Sequence, residues 1–307
     1  MPNKKNLFDG GVLILDKPSG FTSHDAVSKV RKLFDTPQVG HTGTLDPSAT
    51  GVLPILVGRA VKASEYLSAH DKRYAAAFRL GFVSDTGDLD GEVRATGAPL
   101  PPPEKVIAAV AAMRGARMQT PPMTSAVKVD GKRLLDYARA GKTVEVPPRP
   151  IEIYEIAAAH VGAGDYTLSL HVSKGTYVRT VVTELGQALG CGAVMTSLCR
   201  TECGNFTREG AVTFEALEQM TMEARYAALF PVERAFADLP ALTLPPFFAT
   251  LCRNGCEIYQ KKIGAHFEIG TRLRLLDAGG FFGVGEVRDT PDGSAVKMVK
   301  LLRVESC

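Results

Sequence analysis

The sequence predicts an α+β protein that ends in a smaller, strand-rich segment. Apolar or alternating runs of strand length occur at Gly11–Leu15, Val52–Val57 and Lys72–Leu80. Apolar residues at helical spacing occur between them, first over Ser23–Phe34, and roughly the last sixty residues contain only short β-like runs. A chain of 307 residues with 45% hydrophobic content is long enough for one large core and a satellite domain.

The first part of the chain is predicted to contain two strands, a helix and a polar loop. The strand Gly11–Leu15 ends at the turn signal DKPSG, because proline and glycine both interrupt an extended run. Thr22 or Ser23 is expected to cap the amphipathic helix Ser23–Phe34. The polar loop then leads directly into the apolar strand Val52–Val57.

A second helix is predicted over Arg59–Ser68, followed by a half-buried strand over Lys72–Leu80. Alternation puts Tyr74 on the apolar face of this strand, where a tyrosine is a core residue by default. Ser84–Glu92 has the acidic spacing of a calcium loop, but that register would put Gly97 at position twelve, where a bidentate glutamate is needed. This segment is therefore predicted to be a turn.

The middle of the chain combines regular elements with a basic stretch. Helices are predicted at Pro103–Arg114 and Thr176–Leu189, and strands at Ile151–Ala159 and Tyr166–Val172. The stretch Arg114–Arg149 carries eight basic residues and three acidic ones, a local charge of +5. Prolines near both of its ends indicate an excursion from the main fold. Such a stretch is usually a solvated face, but this one could also bind phosphates.

The C-terminal part is predicted to form a small barrel or sandwich. Two helices, near Thr213–Met220 and Met222–Phe236, precede the proline-rich segment Leu239–Phe247, which is typical of a linker. The remainder, about Ala241–Cys307, contains short strands separated by turn signals such as Gly279-Gly280.

Composition and charge favour a soluble protein of the cytoplasm. The net charge of +3 and pI near 8.5 are only mildly basic, so an RNA partner requires a local basic surface. The N-terminus has no apolar signal region, and no apolar run approaches ~18 residues. Two C-x₃-C pairs, Cys199/Cys203 and Cys252/Cys256, depart from the x₂ spacing of zinc knuckles. Reduced thiols are expected, and a zinc site is the less favoured alternative.

The loop Gly40–Gly51, GHTGTLDPSATG, holds one carboxylate, Asp46. An aspartate in such a loop is often a turn residue that bonds to its own backbone. Because the loop runs straight into a strand that can support it rigidly, a catalytic role for Asp46 is the second interpretation. Arg179 lies in the first turn of a predicted helix, where a cation is unfavourable, and is therefore expected to pair with a carboxylate.

Three strings resemble the motifs of the TruB family of tRNA pseudouridine synthases. They are DKPSGFTSHD, GHTGTLDPSATG followed by VLPILVGRAVK, and SKGTYVRTVVTELG, and they occur in the order in which the family has them. Related sequences commonly read PPMYSALK where this chain has Thr124 in PPMTSAVK, and Leu-Arg-Arg where it has Cys199. The first change removes an aromatic ring, and the second removes a basic side chain.

The resemblance implies roles for nine residues. Asp46 would be the single catalytic aspartate, Arg179 its ion-pair partner, and Tyr74 the residue that stacks on the target base. The residues that would contact the RNA or line the pocket are Lys17, His41, Lys132, Arg133, Tyr177 and Leu198. We expect Asp46 to be ionised, with a pKa kept low by a bidentate Arg179.

The resemblance further implies a fold and a domain division. The fold would be a mixed, largely antiparallel sheet flanked by helices, with a thumb-like basic insertion at about residues 114–150. Residues 1–238 would form the catalytic domain of this pseudouridine synthase fold. Residues 239–307 would form a module similar to the PUA type of RNA-binding domain, although this part of the resemblance is weaker.

The function implied is isomerisation of uridine to pseudouridine in tRNA, at position 55 of the TΨC loop. The reaction neither gains nor loses atoms, so no cofactor or metal is expected, and Asp46 could act as nucleophile or as base. The substrate would be the T-arm of tRNA, bound by a monomer without an obligate protein partner. Two alternatives remain: a non-catalytic protein that binds or folds tRNA, and an RNA-guided synthase subunit acting on ribosomal RNA.

Overall fold

Strands and helices account for most of residues 10–303, which are the residues that this computed structural model describes. The α+β class is confirmed. The strands, in chain order, are β1 (Gly10–Lys17), β2 (Val39–His41), β3 (Thr50–Gly58), β4 (Lys72–Leu80), β5 (Phe82–Ser84), β6 (Val93–Ala95), β7 (Gly115–Gln119), β8 (Lys128–Val129), β9 (Lys132–Arg133), β10 (Arg149–Gly162), β11 (Asp165–Val172), β12 (Ala193–Cys203), β13 (Phe206–Thr207), β14 (Ala241–Thr243), β15 (Ile258–Tyr259), β16 (Arg272–Asp277), β17 (Gly280–Arg288) and β18 (Ala295–Leu301). The helices are α1 (Ser23–Leu33), α2 (Ser64–Ser68), α3 (Pro103–Ala111), α4 (Leu134–Arg139), α5 (Val178–Leu189), α6 (Phe214–Gln219), α7 (Met222–Ala227), α8 (Pro246–Arg253) and α9 (Gln260–Ile263).

The main sheet has the strand order β1-β3-β12-β4-β11-β10-β7, with β2 paired to β3 and β13 to β12. Its pairings are antiparallel except for a short parallel contact between β3 and β12, so the mixed, largely antiparallel sheet is confirmed. The sequence did not predict β12, which lies near the centre of this sheet. Register shifts along its pairing with β4 break the alternation of buried residues that would have revealed it.

Both faces of β1 and β3 are covered, which explains why their sequences are continuously apolar. Leu13 and Leu15 point into a core that helices α1 and α5 also line. Val12 and Ile14 point the other way, into a second core that includes Phe281 and Val284 of the C-terminal sheet. The main sheet therefore lies between its own helices and the C-terminal part of the chain.

Local signals placed some helices correctly and misjudged others. Helix α1 begins as expected, with Thr22 and Asp25 forming a capping box. The helix predicted over Arg59–Ser68 is a 3₁₀ turn followed by the short α2, and the one predicted over Met222–Phe236 is α7 followed by a second 3₁₀ turn. In both places the predicted helix is divided into a short α-helix and a 3₁₀ turn, so neither forms one continuous helix.

The basic stretch is only partly an excursion from the sheet. Its first residues form β7, which pairs with the start of β10 at the edge of the main sheet, where β10 has no second neighbour. Residues 120–148, called the insertion below, leave the sheet as the hairpin β8–β9 and helix α4. The prolines mark the points where the chain leaves and rejoins the sheet.

The C-terminal strands form a second sheet with the order β14-β16-β17-β18-β15. The hairpin turns predicted between β16, β17 and β18 are present. The segment expected to be a linker contributes β14 to this sheet and also starts α8, with Pro246 in the first turn. Within residues 10–303, no helix is long and apolar enough to cross a membrane.

Candidate active site

The Asp46 loop joins β2 to β3 and is held by side chains at the end of β1 and at the start of α1. The Ser23 hydroxyl donates to the Leu45 carbonyl at 3.1 Å and accepts from the Leu45 amide at 2.8 Å. Lys17 Nζ donates to the Pro47 carbonyl at 3.1 Å. These contacts fix the backbone on both sides of Asp46, whose side chain is 30% exposed.

Lys17 lies next to the site, but it is not placed to contact RNA as we expected. Its side chain is fully buried, and Nζ also donates to the Pro18 and Phe21 carbonyls at 2.9 and 2.6 Å. All three ammonium protons are therefore used within the chain. Burial lowers the pKa of Lys17 to about 8, an effect that the nearby Asp46 carboxylate partly offsets. Lys17 is thus a clamp for the Asp46 loop.

Arg179 and Asp46 form a bidentate ion pair. Nη2 donates to Asp46 Oδ1 at 3.1 Å, and Nε lies 3.0 Å from Oδ2. Only 4% of the arginine side chain is exposed, which explains its place in the first turn of α5: its charge is directed into the protein and not along the helix surface.

The turn Ser84–Glu92 supplies a second carboxylate that sequence reasoning missed. Asp88 Oδ2 lies 3.4 Å from Arg179 Nε, and the Thr86 carbonyl accepts from Nη1 at 3.0 Å. Asp90 is tied to the Asp46 loop through the Ser48 hydroxyl at 2.8 Å. The acidic residues that gave this segment the spacing of a calcium loop therefore have a structural role: Asp88 pairs with Arg179, and Asp90 binds the Asp46 loop.

The pKa of Asp46 is raised, not lowered as we expected from its partner. Burial of the carboxyl is the largest cause, and the Arg179 charge works against it. Asp88 and Asp90 raise the pKa further because they carry the same charge. Because Arg179 is shared between Asp46 and Asp88, its positive charge offsets their combined negative charge only in part.

Arg200 is a second buried cation of the site that the sequence did not single out. It lies on β12 with 1% exposure, and its guanidinium donates to the carbonyls of Val52 (2.7 Å) and Gly43 (3.2 Å). It therefore fastens the two ends of the Asp46 loop to the centre of the sheet. The signal was weak because β12 itself was not predicted.

Tyr74 and Leu198 lie on the central strands β4 and β12. Tyr74 is directly opposite Arg200 in the sheet and is 9% exposed. Burial raises the pKa of its hydroxyl, and the charge of Arg200 opposes that effect. Leu198 is opposite Ala76 and is also 9% exposed. Both side chains belong to the large core, with a small part of each surface open.

His41 ends β2 at the edge of the loop. Its Nδ1 accepts a hydrogen bond from the Gly43 amide at 3.3 Å, so a neutral ring carries its proton on Nε2. Burial, followed by the charge of Arg200, lowers the pKa of His41 and favours this neutral form. The ring can therefore donate one hydrogen bond from Nε2.

Tyr177 precedes the first residue of α5, and Gln119 at the end of β7 holds its backbone. The Tyr177 amide donates to Gln119 Oε1 at 2.8 Å, and Gln119 Nε2 donates to the Tyr177 carbonyl at 3.2 Å. Gln119, only 2% exposed, was not expected in the site. This pair of bonds fixes the start of the helix that carries Arg179.

Lys132 and Arg133 do not join the buried groups around Asp46. They form β9 of the insertion, and both are exposed. Other exposed cations of the insertion, namely Lys128, Arg139 and Lys142, share this setting, and none of the five has an acidic partner within residues 10–303. The predicted site residues therefore form two groups: those near Asp46, which are mostly buried, and Lys132 and Arg133, which are exposed on the insertion.

Metal ligands and cavities give no competing site. Across the described residues, no group of three or more His, Cys, Asp or Glu side chains is arranged to hold a metal ion. Cys252 and Cys256 are free thiols, as are Cys199 and Cys203, whereas Cys307 lies outside the described residues. Open cavities of about 380 and 430 Å³ lie around Asp71 and His171, with mixed charge, and neither includes Asp46.

The arrangement at Asp46 suits chemistry at a single carboxylate. The group is partly exposed and is oriented by one hydrogen bond and one further ion-pair contact with Arg179. The neutral imidazole of His41 lies at the end of β2, where the same loop begins. A carboxylate in this setting can attack an electrophilic carbon or remove a proton.

Comparison with known proteins gives the chain a family. The model of the TruB family pseudouridylate synthase N-terminal domain matches residues 31–178, and that of the tRNA pseudouridylate synthase B C-terminal domain matches residues 179–237. A curated relative from Aromatoleum aromaticum, named tRNA pseudouridine synthase B, is 42% identical over 90% of this chain and 88% of its own. A relative of the same name from Burkholderia mallei is 43% identical over 87% of this chain and 89% of its own.

Solved structures share the fold at lower identity. A chain in a Cbf5-Nop10-Gar1 complex matches with a TM-score of 0.73 and 26% identity, over 99% of this chain and 88% of that one. A chain in an H/ACA RNP bound to a substrate RNA containing 2′-deoxyuridine matches with a TM-score of 0.73 and 23% identity, over 98% and 88%. With 42–43% identity across nine-tenths of its length and both domain models matched in order, this chain belongs to the TruB family of pseudouridylate synthases.

Proposed function

We propose that this chain isomerises uridine to pseudouridine in tRNA, at position 55 of the TΨC loop. The observation that carries the proposal is the bidentate pair between Arg179 and the partly exposed Asp46. Membership of the family supports the reaction, and the names of the curated relatives support tRNA as the substrate.

The reaction moves one glycosidic bond within the substrate. The bond between C1′ and N1 of uridine breaks, the uracil turns, and C5 bonds to C1′. N1 takes up a proton and C5 loses one, so no atom is gained or lost overall. Asp46 acts at the sugar, as a nucleophile at C1′ or as a base, and must be ionised in either role.

The target base must leave its stack to reach Asp46, which costs a few kcal/mol. Tyr74 offers a face on which the base can stack, worth ~1–3 kcal/mol. Because Tyr74 is 9% exposed, its neighbours have to open somewhat as the base enters. His41 Nε2 is a donor to the displaced strand, and Tyr177 and Leu198 complete the apolar side of the pocket.

The insertion supplies the grip on the RNA. Its exposed cations have no acidic partners within residues 10–303, so they are free to neutralise phosphates. Such a surface suits direct recognition of a folded T-arm by a monomer that acts without protein partners. We expect the protein to meet tRNA in the cytoplasm, which cell fractionation can test.

An RNA-guided role remains the second candidate, because the solved structures with a similar fold include an H/ACA RNP. The insertion and the identity to tRNA synthases favour direct binding instead. A non-catalytic role is disfavoured by the intact Asp46–Arg179 pair.

The experiment is to incubate the purified chain with an unmodified tRNA transcript and map the pseudouridines. We expect one at position 55, formed without guide RNA or added protein. Pseudouridine that appears only when a guide RNA is present would favour the second candidate, and none under either condition would overturn the proposal. Mapping tRNA from cells that lack the protein gives the same answer in vivo.

A further inference from the structure

Thr124, near the start of the insertion, contacts both terminal nitrogens of the Arg179 guanidinium. The Thr124 hydroxyl accepts a hydrogen bond from Arg179 Nη1 at 2.5 Å, and the Thr124 carbonyl accepts from Nη2 at 3.1 Å. Together with Asp46 and the Thr86 carbonyl, these acceptors give Nη1 and Nη2 two hydrogen bonds each, while Nε forms ion pairs with Asp46 and Asp88. Thr124 therefore accepts two of the hydrogen bonds that fix the plane of the Arg179 guanidinium.

Thr124 is itself anchored on both sides. Upstream, Gln119 is bonded to the backbone of Tyr177, two residues before Arg179. Downstream, the Ser125 carbonyl accepts from the Leu135 amide at 3.1 Å, which attaches α4 to the same segment. Because the backbone is fixed on both sides of Thr124, its side chain can restrain the Arg179 guanidinium. A residue on an unanchored loop would move together with the guanidinium.

The identity of residue 124 matters for this contact. The motif PPMYSALK, which this segment resembles, has tyrosine at this position, and a tyrosine hydroxyl lies a ring's length further from the main chain. With the same backbone it could not reach Nη1 at the place that the Thr124 hydroxyl occupies. The hydroxyl bond is thus a property of this chain's threonine, while the carbonyl bond depends only on the backbone.

We propose that Thr124 is a positioning residue, whose hydroxyl holds Arg179 in the plane that presents Asp46 to the substrate. The inference rests on the proposed function for its effect on turnover. Without the hydroxyl, one buried N–H of a charged group loses its partner, and the guanidinium tilts to find another. The pair with Asp46 then loses its alignment, and the carboxylate loses part of its compensation.

The test uses Thr124→Val, which keeps the shape and removes the hydroxyl, and Thr124→Ser, which keeps the hydroxyl. Thr167→Val, at an exposed position on β11, is the matched control. In single-turnover reactions at saturating tRNA, we expect the valine variant to be slower by about 10- to 100-fold. The serine and control variants should stay within about 3-fold of the wild type, and tRNA affinity should change little in all three.

Two readouts separate positioning from damage to the fold. The acidic limb of the rate profile should move to higher pH in Thr124→Val, because a looser Arg179 leaves Asp46 with a higher pKa. NMR titration of the Asp46 carboxyl should show the same shift without any turnover. Thr124→Ala repeats the deletion should the valine variant fail to fold.

The outcomes are distinguishable. A wild type that forms no pseudouridine overturns the proposed function, and the NMR titration still tests the contact. An active wild type with a valine variant of equal rate and equal Asp46 pKa overturns the role of Thr124. A serine variant as slow as the valine variant also overturns it, since the hydroxyl would then not be the group that matters.

Discussion

The residues around Asp46 and those of the insertion use charge in opposite ways. Asp46, Asp88, Arg179 and Arg200 are largely buried, and the two arginines contact carboxylates, backbone carbonyls and the Thr124 hydroxyl. The cations of the insertion are exposed and have no acidic partner in the described chain. Buried charges held in one geometry suit chemistry, and free exposed charges suit the binding of a polyanion. The comparison predicts that changes in the first group alter rate and changes in the second alter affinity.

The largest effect is expected from Asp46→Asn. The substitution keeps the shape and removes the charge, so single-turnover formation of pseudouridine should fall below detection while tRNA affinity stays within a few-fold. Asp289→Asn, which is exposed beyond β17, is the control and should behave as the wild type. Turnover by purified Asp46→Asn above the level of contamination would show that the reacting carboxylate lies elsewhere.

Arg179→Lys should be the next most damaging change, although it keeps the charge. Lysine cannot reproduce the planar fork that binds Asp46, so we expect a loss of ~10²-fold or more in turnover. The control is Arg79→Lys, which alters another bidentate pair, at 2.7 and 2.8 Å from Asp165, on the exposed surface. Single-turnover kinetics at saturating tRNA compare the two. Equal rates for both variants would remove the distinction between buried and exposed pairs.

Neutralising the insertion should produce the opposite pattern. Changing Lys132, Arg133 and Arg139 together to glutamine should weaken tRNA binding and reduce the slope of log K against log salt by roughly 0.7–0.9 for each phosphate that is no longer neutralised. Turnover at saturating tRNA should stay near that of the wild type. Lys32, Arg94 and Lys105 are exposed cations outside the insertion and form the control triple. A salt slope that is unchanged, or equal in both triples, would make the insertion an ordinary solvated surface.

The smallest effect concerns stability. Because the pKa of Asp46 is higher in the folded chain than in the unfolded one, ionising it costs folding free energy. The cost is absent at pH values below the unfolded pKa, grows as the pH rises, and is complete above the folded pKa. Asp46→Asn should therefore raise the free energy of unfolding at pH 7, and the gain should vanish in acid. Denaturant unfolding of both proteins across pH measures it, and a variant less stable at pH 7 would contradict it.

The sequence predicted the parts of the site whose signals are local. Asp46 lies in a loop with distinctive glycines and proline, and Arg179 has an unfavourable place in its helix that only a partner explains. The strand β4 was predicted to the residue because it alternates cleanly.

The parts that were missed depend on distant segments. Arg200 and Asp88 act only because β12 and the turn after β5 meet the Asp46 loop in space, and nothing in their own neighbourhoods reveals it. Lys17 was assigned to the RNA because its burial could not be read from a turn motif. The pKa of Asp46 was expected to be low because the sequence did not reveal the burial of its carboxyl, which is the largest cause of the rise, or the second carboxylate on Arg179.

The long separation between the two members of the central ion pair has a consequence during translation. Asp46 and Arg179 are 133 residues apart, and β3 meets β12 through Thr50 and Cys199. At ~5–20 residues per second, roughly 7–27 s pass between the synthesis of the two partners. The insertion, residues 120–148, is made within that interval. A nascent chain therefore contains all the exposed cations of the insertion before Arg179, the ion-pair partner of Asp46, has been synthesised.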